Sequence, residues 1–267
     1  MTETSNELLD VDGATLSYSV EEGASPTIVG LHGLTSSRRN EAASGFSDWS
    51  AVSSTGRRVV RYDARGHGLS TGRPVPEDYA WPRLADDLFR LLDAVAPGEV
   101  VDAFGVSMGA GTLLHAVTRE PDRFRRLALV IPPTAWSTRA AQGDVYRQMA
   151  AMAESEGLAA LAAAAATMEP LPILAEGGWT TMVPPDIAEP LLPAVMRGAA
   201  ATDLPPAESI GAIRKPVLLL PWTDDPGHPL STSERLHELI PGSALRVTRT
   251  PDDLRAVGAR VAAFLSD

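Results

Sequence analysis

Ser107 stands in Gly105-Val-Ser107-Met-Gly109. This spacing suits a nucleophilic hydroxyl carried on a sharp strand-to-helix turn. Glycines two residues to either side let neighbouring chain approach closely. The turn then projects the hydroxyl above a sheet, near a helix N-terminus that favours developing negative charge. A second loop, His32-Gly33-Leu34-Thr35, can aim a main-chain N–H at the same place. The N–H groups of Leu34 and Met108 are the candidate oxyanion hole. In that reading His32 holds its loop by hydrogen bonds and is not the base. A third loop, Asp63-Ala-Arg65-Gly-His67-Gly-Leu-Ser70, suits a tight, self-bonded scaffold built on Asp63, Arg65 and His67.

These residues need elements to place them. Val100–Phe104 reads as an apolar strand entering the serine turn, and Ala110–Arg119 as the helix leaving it. Further short apolar runs occur at Thr27–Leu31, Arg58–Tyr62, Leu127–Ile131, Pro216–Leu220 and Ala244–Thr248. Runs that are apolar throughout predict strands buried on both faces, as in a parallel sheet. Leu8–Val11 and Thr15–Val20 flank Asp12-Gly13, a hairpin signal. Leu84, Leu88, Leu91, Leu92 and Val95 recur at helical spacing. Ser231–Leu239 and Asp252–Phe264 also read as helices. Strand and helix in alternation predict right-handed crossovers, a doubly wound sheet and an α/β fold, here one domain over residues 1–267.

Residues from about 134 to 207 break this alternation. Rich in Ala, Met, Pro and Trp, they read as a helical cap inserted between two core strands. Met149, Met152, Met168, Trp179, Met182 and Met196 either line an apolar pocket there or pack the cap helices together. No internal repeat is evident, and disorder is expected only in the first few residues.

Composition narrows the chemistry. The 267 residues contain no cysteine, which excludes disulfides, thiolate metal sites and a cysteine nucleophile. The formal charge of −11 repels phosphate backbones, so nucleic acid is an unsuitable partner. Met1–Asp10 has no basic segment leading into an apolar run, and no stretch is apolar for long enough to span a bilayer. A soluble, cytoplasmic protein that uses no cofactor is the expectation. The nearest approach to a metal-binding group is Asp224, Asp225 and His228, with nothing beside it to complete a site.

Taken in order, His32-Gly33, Asp63-x-Arg65-Gly66-His67-Gly68-x-Ser70 and Gly105-x-Ser107-x-Gly109 resemble the α/β-hydrolase superfamily, in particular its esterase, lipase and perhydrolase-like branch. The likeness runs over nearly the whole chain and is weakest in the cap. It implies a nucleophile, an acid and a histidine in that chain order, acting on an ester or related acyl substrate. The acid should follow the strand after the cap. Asp225 matches that position best, with Pro229 downstream and Asp224 as the alternative. The position one strand earlier, used by some relatives, is filled by Pro132-Pro133.

The histidine implied by the family should follow the last strand. Arg246–Leu254 contains none, and none follows. An unassisted serine hydroxyl is a poor nucleophile, so a base must come from elsewhere. His228, three residues past Asp225, is either a relocated base oriented by Asp225 or a loop residue bonded to main chain. Two functional readings follow. One is a serine hydrolase, or an acyltransferase using the same parts. The other is a non-hydrolytic protein on the same fold, such as a ligand-binding pseudoenzyme, a cyclase or a lyase. Serine at position 107 speaks against a dehalogenase or epoxide hydrolase, which would need aspartate there.

Overall fold

The computed structural model describes residues 6–45, 48–179 and 183–267. The first five residues and Met182 therefore lie outside what is described. Eight strands form one sheet: β1 (Glu7–Val11), β2 (Ala14–Glu21), β3 (Ala24–Leu31), β4 (Arg57–Tyr62), β5 (Val101–Val106), β6 (Phe124–Val130), β7 (Val217–Leu220) and β8 (Ala244–Leu245). Their spatial order is β1-β2-β4-β3-β5-β6-β7-β8. β2 runs antiparallel to both neighbours, and the remaining pairs are parallel.

The Asp12-Gly13 turn closes the β1–β2 hairpin with Val11 opposite Ala14. Gly13 takes φ +76° there, which a two-residue turn of this kind requires. Among the described residues there are also eleven α-helices. The first four are α1 (Arg38–Ser44), α2 (Ser50–Ser53), α3 (Trp81–Val95) and α4 (Met108–Arg119). Next come α5 (Arg139–Ala166), α6 (Pro172–Glu176), α7 (Leu192–Ala200) and α8 (Ala207–Gly211). The last are α9 (Leu230–Leu239), α10 (Pro251–Arg255) and α11 (Val257–Ser266).

Both sheet faces are buried, as the apolar runs require. On one face Val29, Leu31, Ala103, Leu127, Leu129, Val217 and Leu219 pack against α3 and α4. On the other, Ile28, Phe104, Ala128, Val130, Leu218 and Leu220 meet α2, α10 and α11. Successive side chains on a strand point to opposite faces, so one apolar run serves two cores. Leu84, Leu88, Leu91 and Leu92 form the buried stripe of α3, each contributing about 1.5–3 kcal/mol by leaving water.

Between β6 and β7 the described residues form helices and no named strand, with only an isolated bridge from Ile187 to His67. Gly157 leaves helical geometry at φ 82°, ψ 174° and divides α5 in two. The Leu158 N–H beyond it donates to Glu189 Oε1 at 3.0 Å, satisfying one exposed donor of the second piece. The methionines separate by role. Met196 is fully buried among Ala150, Leu192 and Val195, and Met149 and Met152 lie against that cluster. Met168 is exposed, and Trp179 lies under the Arg255 guanidinium. Among the described residues no helix is long and apolar enough to cross a membrane.

Two elements are shorter than the sequence suggests. β8 ends at Leu245, although Thr248 still donates its N–H to Pro221 O at 2.8 Å. The C-terminal helical stretch breaks at Ala256. Gly258, just beyond, packs against the Asp48 carbonyl, where a Cβ would stand only 1.8 Å from the oxygen.

Candidate active site

Open α/β sheets bind ligands beyond the carboxyl ends of their strands, where the strand order reverses. Here β3 and β5 are neighbours while β4 lies on the far side of β3, so the reversal falls between β3 and β5. Ser107 follows β5 directly. Its backbone is held at φ 52°, ψ −108°, a conformation that costs a non-glycine residue roughly 1–3 kcal/mol and persists only where its surroundings impose it. They do so through Ser107 N–H to Val130 O and Gly111 N–H to Ser107 O, both 3.0 Å. The flanking glycines are needed for close approach. A Cβ at Gly105 would stand 2.5 Å from the Gly109 carbonyl, and one at Gly109 would stand 2.5 Å from Leu31 O.

The other left-handed non-glycine residues among those described share this edge. Thr35 follows β3, Ile131 and Trp136 follow β6, and Asp224 follows β7. Backbone strain is thus gathered around one end of the sheet.

The loop after β7 carries Asp225 and His228. Asp225 accepts from Gly227 N–H at 2.8 Å and from the indole N–H of Trp222 at 2.6 Å. Asp225 O accepts from His228 N–H at 3.2 Å, closing a turn over Pro226-Gly227. Gly227 O accepts from Thr134 N–H at 3.1 Å, which ties this turn to the chain leaving β6. Within the turn, His228 Nδ1 lies 2.7 Å from Asp225 Oδ2, and His228 Nε2 lies 2.7 Å from Ser107 Oγ. An ionised carboxylate only accepts, so Nδ1 carries the proton and Nε2 is the acceptor for the serine hydroxyl. Burial pushes the Asp225 carboxyl up. Hydrogen bonds from His228, Trp222 and Gly227, with the electrostatic attraction of the His228 ring, outweigh this and hold it below the usual aspartate range. Asp224 is exposed and takes no part in these contacts.

The remaining histidines are engaged elsewhere. His32 donates from Nδ1 to Gly33 O at 2.8 Å, and its Nε2 accepts from Ala64 N–H at 2.9 Å. His67 is buried and donates from Nδ1 to Arg65 O. His115 and His237 bond to Asp203 O and Ser243 Oγ. Asp63 holds Arg38 through its carboxylate, and Arg65 is fully buried against Asp87. These groups brace the loops.

The oxyanion candidates are the N–H groups of Met108 and Leu34. Met108 opens α4, where an N–H has no acceptor within the helix. Leu34 follows Gly33, whose Cα hydrogen faces Ser107: a Cβ there would lie 3.5 Å from Ser107 Cβ. The partnership of His228 with Ser107 has a signal in the sequence, the three-residue offset from Asp225. For the contribution of Trp222 to the carboxylate the sequence carries no signal beyond its place two residues past β7. No group of three or more His, Asp or Glu that could hold a metal ion occurs among the described residues.

Comparison with known proteins gives the same architecture. Residues 26–169 match the family model described as alpha/beta hydrolase fold. A stretch of 119 residues is 36% identical to the mouse (Mus musculus) sn-1-specific diacylglycerol lipase ABHD11, covering 43% of this chain and 36% of that protein. The chain thus matches about a third of the length of this relative. Over its whole length it superposes on the whole of a hydrolase from Pseudomonas aeruginosa PA01, with TM-score 0.78 and 25% identity. Over 98% of its length it superposes on all of the enol-lactonase from Burkholderia xenovorans LB400, with TM-score 0.77 and 23% identity. With its order of strands, its strained serine turn and a family match over more than half its length, the chain belongs to the α/β-hydrolase fold family.

Proposed function

We propose that this protein is a serine hydrolase that cleaves a carboxylic ester or related acyl substrate. The observation that carries the reading is the unbroken chain from Asp225 Oδ2 through the His228 ring to Ser107 Oγ, with 2.7 Å at each step. Ser107 Oγ attacks the acyl carbon as its proton passes to His228 Nε2. Asp225 orients the imidazole and stabilises the imidazolium. The N–H groups of Leu34 and Met108 receive the oxyanion. As the tetrahedral intermediate collapses, the C–O bond to the leaving alcohol breaks, and the alcohol oxygen takes the proton from Nε2. Water, deprotonated by the same nitrogen, then cleaves the acyl-serine and restores the starting groups. Transfer to another acceptor would use the same groups, with that acceptor in place of water.

The helices between β6 and β7 serve in this reading as a cap over a small acyl substrate. Arg139, which opens α5, supports it: it donates to Thr134 Oγ1 at 3.1 Å, and the Thr134 N–H donates to Gly227 O within the turn that carries Asp225 and His228. The names of the mouse lipase and the Pseudomonas hydrolase point towards the same chemistry. A protein of this fold that works without a serine–histidine pair would have no need of a base within hydrogen-bond reach of the elbow serine.

The test is a fluorophosphonate, which labels only an activated serine. Wild type should gain one adduct by intact mass, and Ser107→Ala and His228→Ala should gain none. Folded wild type that stays unlabelled would overturn the reading. Labelling that survives His228→Ala but not Ser107→Ala would keep the nucleophile and remove the base.

A further inference from the structure

Asp186 lies in the segment leading to α7, far in sequence from the serine, yet it is bound to both loops that brace the site. Its N–H donates to Thr35 O, and its carbonyl accepts from Gly68 N–H, both at 2.8 Å. Its Oδ2 accepts from Ser37 Oγ at 2.5 Å and from Arg39 Nε at 2.6 Å, and Oδ1 accepts from Arg39 Nη2. Two residues earlier, Pro184 O accepts from Asn40 Nδ2 at 2.8 Å. One aspartate thus joins the loop after β3 to the loop after β4.

The partners on the β3 loop follow directly on Leu34. Ser36 N–H donates to Gly33 O at 3.2 Å, closing a turn whose middle residues are Leu34 and Thr35. Thr35 is held left-handed at φ 62°, which a β-branched residue adopts only under constraint. The contact from Asp186 N–H to Thr35 O supplies constraint at that residue. Ser37, which the carboxylate holds, also caps α1 by accepting from Asn40 N–H at 3.1 Å. The turn is therefore gripped at Thr35 and again at Ser37. Hydrogen bonding from Arg39 outweighs burial and keeps the Asp186 carboxyl below the usual aspartate range, so the grip persists in mildly acidic solution. Arg39 itself is 63% exposed, and such an ion pair adds little stability. The arrangement is better explained by the geometry it imposes.

We propose that the Asp186 carboxylate is a positioning group: by holding Ser37 and Arg39, so that the main chain of Asp186 stays seated on Thr35, it fixes the Gly33–Thr35 turn from the segment between β6 and β7 and directs the Leu34 N–H at the acyl oxygen when Ser107 reacts. This inference rests on the reading of Ser107 as nucleophile and Leu34 as oxyanion donor. It ties the turn beside the nucleophile to the segment read as the cap.

The experiment follows the rate of fluorophosphonate labelling against pH for wild type, Asp186→Ala and Asp186→Asn, with thermal melts to establish folding. The phosphoryl oxygen of the probe takes the place of the acyl oxygen. Asp186→Ala should lower the plateau rate roughly tenfold or more, while the apparent pKa of labelling, set by the Asp225–His228 pair, stays in place. Asp186→Asn still accepts from Ser37 but loses the charge facing Arg39, so its rate should fall in between. A folded Asp186→Ala that labels at the wild-type rate overturns the inference. So does a loss accompanied by a moved apparent pKa, because the serine–histidine pair would then be disturbed. If Asp186→Ala does not fold, Asp186→Asn decides: a slower plateau at unchanged pKa supports the proposal, and the wild-type rate overturns it. Failure of the parent reading is separate and shows as wild type that does not label at all.

Discussion

His228 follows Asp225 by three residues, and its ring spans the gap between that carboxylate and the Ser107 hydroxyl, 2.7 Å from each. Asp225 and His228 thus share a single turn. Their mutual geometry is local, fixed by Gly227 N–H on the carboxylate and by His228 N–H on Asp225 O. Their distance to the serine is not local. It depends on β5, β6 and β7 lying side by side, with Val106 opposite Val130 and Val130 opposite Leu220. The loop after β8, where the family resemblance places a histidine, instead uses Thr250 to cap α10 by accepting from Asp253 N–H at 3.1 Å.

Asp225 and Asp224 are adjacent, but only one touches the ring. Asp225→Asn should lower kcat for a small activated ester about 10⁴-fold, because an amide that offers N–H to Nδ1 favours the wrong imidazole tautomer. Asp224→Asn should leave kcat within about twofold, since exposed substitutions away from a site act weakly. Equal losses in the two variants would assign the acid wrongly.

Asp87 neutralises a guanidinium that has no access to solvent. Arg65 is fully buried, with its Nε and Nη2 each 2.6 Å from an Asp87 oxygen. Asp87→Ala should destabilise the protein by about 3–5 kcal/mol, as removal of one partner from a buried pair generally does. Urea unfolding would show a lower midpoint at an unchanged slope. A loss under about 1 kcal/mol would mean that Asp78, 3.5 Å from Arg65 Nη1, takes over the charge.

His67 should make stability depend on acid. Burial, with the nearby His32, pushes its pKa down to about 3, whereas an unfolded histidine titrates near 6.5. Below about pH 6.5 the unfolded chain therefore takes up a proton that the folded one refuses. This contribution is intact above about pH 6.5 and is lost as pH falls towards about 3, at up to about 1.4 kcal/mol per pH unit. Urea melts of wild type and His67→Asn from pH 7 to 4 should show wild type losing ground steadily. A stability difference that does not change with pH would rule out a buried neutral His67.

Much of the candidate site's geometry is legible in the chain because its parts are local. Gly105 and Gly109 specify the strained turn at Ser107, since no larger residue fits against Gly109 or Leu31. Apolar runs bounded by turn residues specify the strands, and the three-residue offset keeps Asp225 and His228 within one turn. The tertiary structure decided what spans long separations. It brought His228 Nε2 to a hydroxyl 121 residues away, took Asp225 rather than Asp224, buried Met196 and exposed Met168. It also joined Asp186 to Arg39 across 147 residues. Hydrogen bonding fails within a fraction of an ångström, and contact over such separations is set by strand register and crossover packing. Sequence spacing reaches only as far as the next turn of chain.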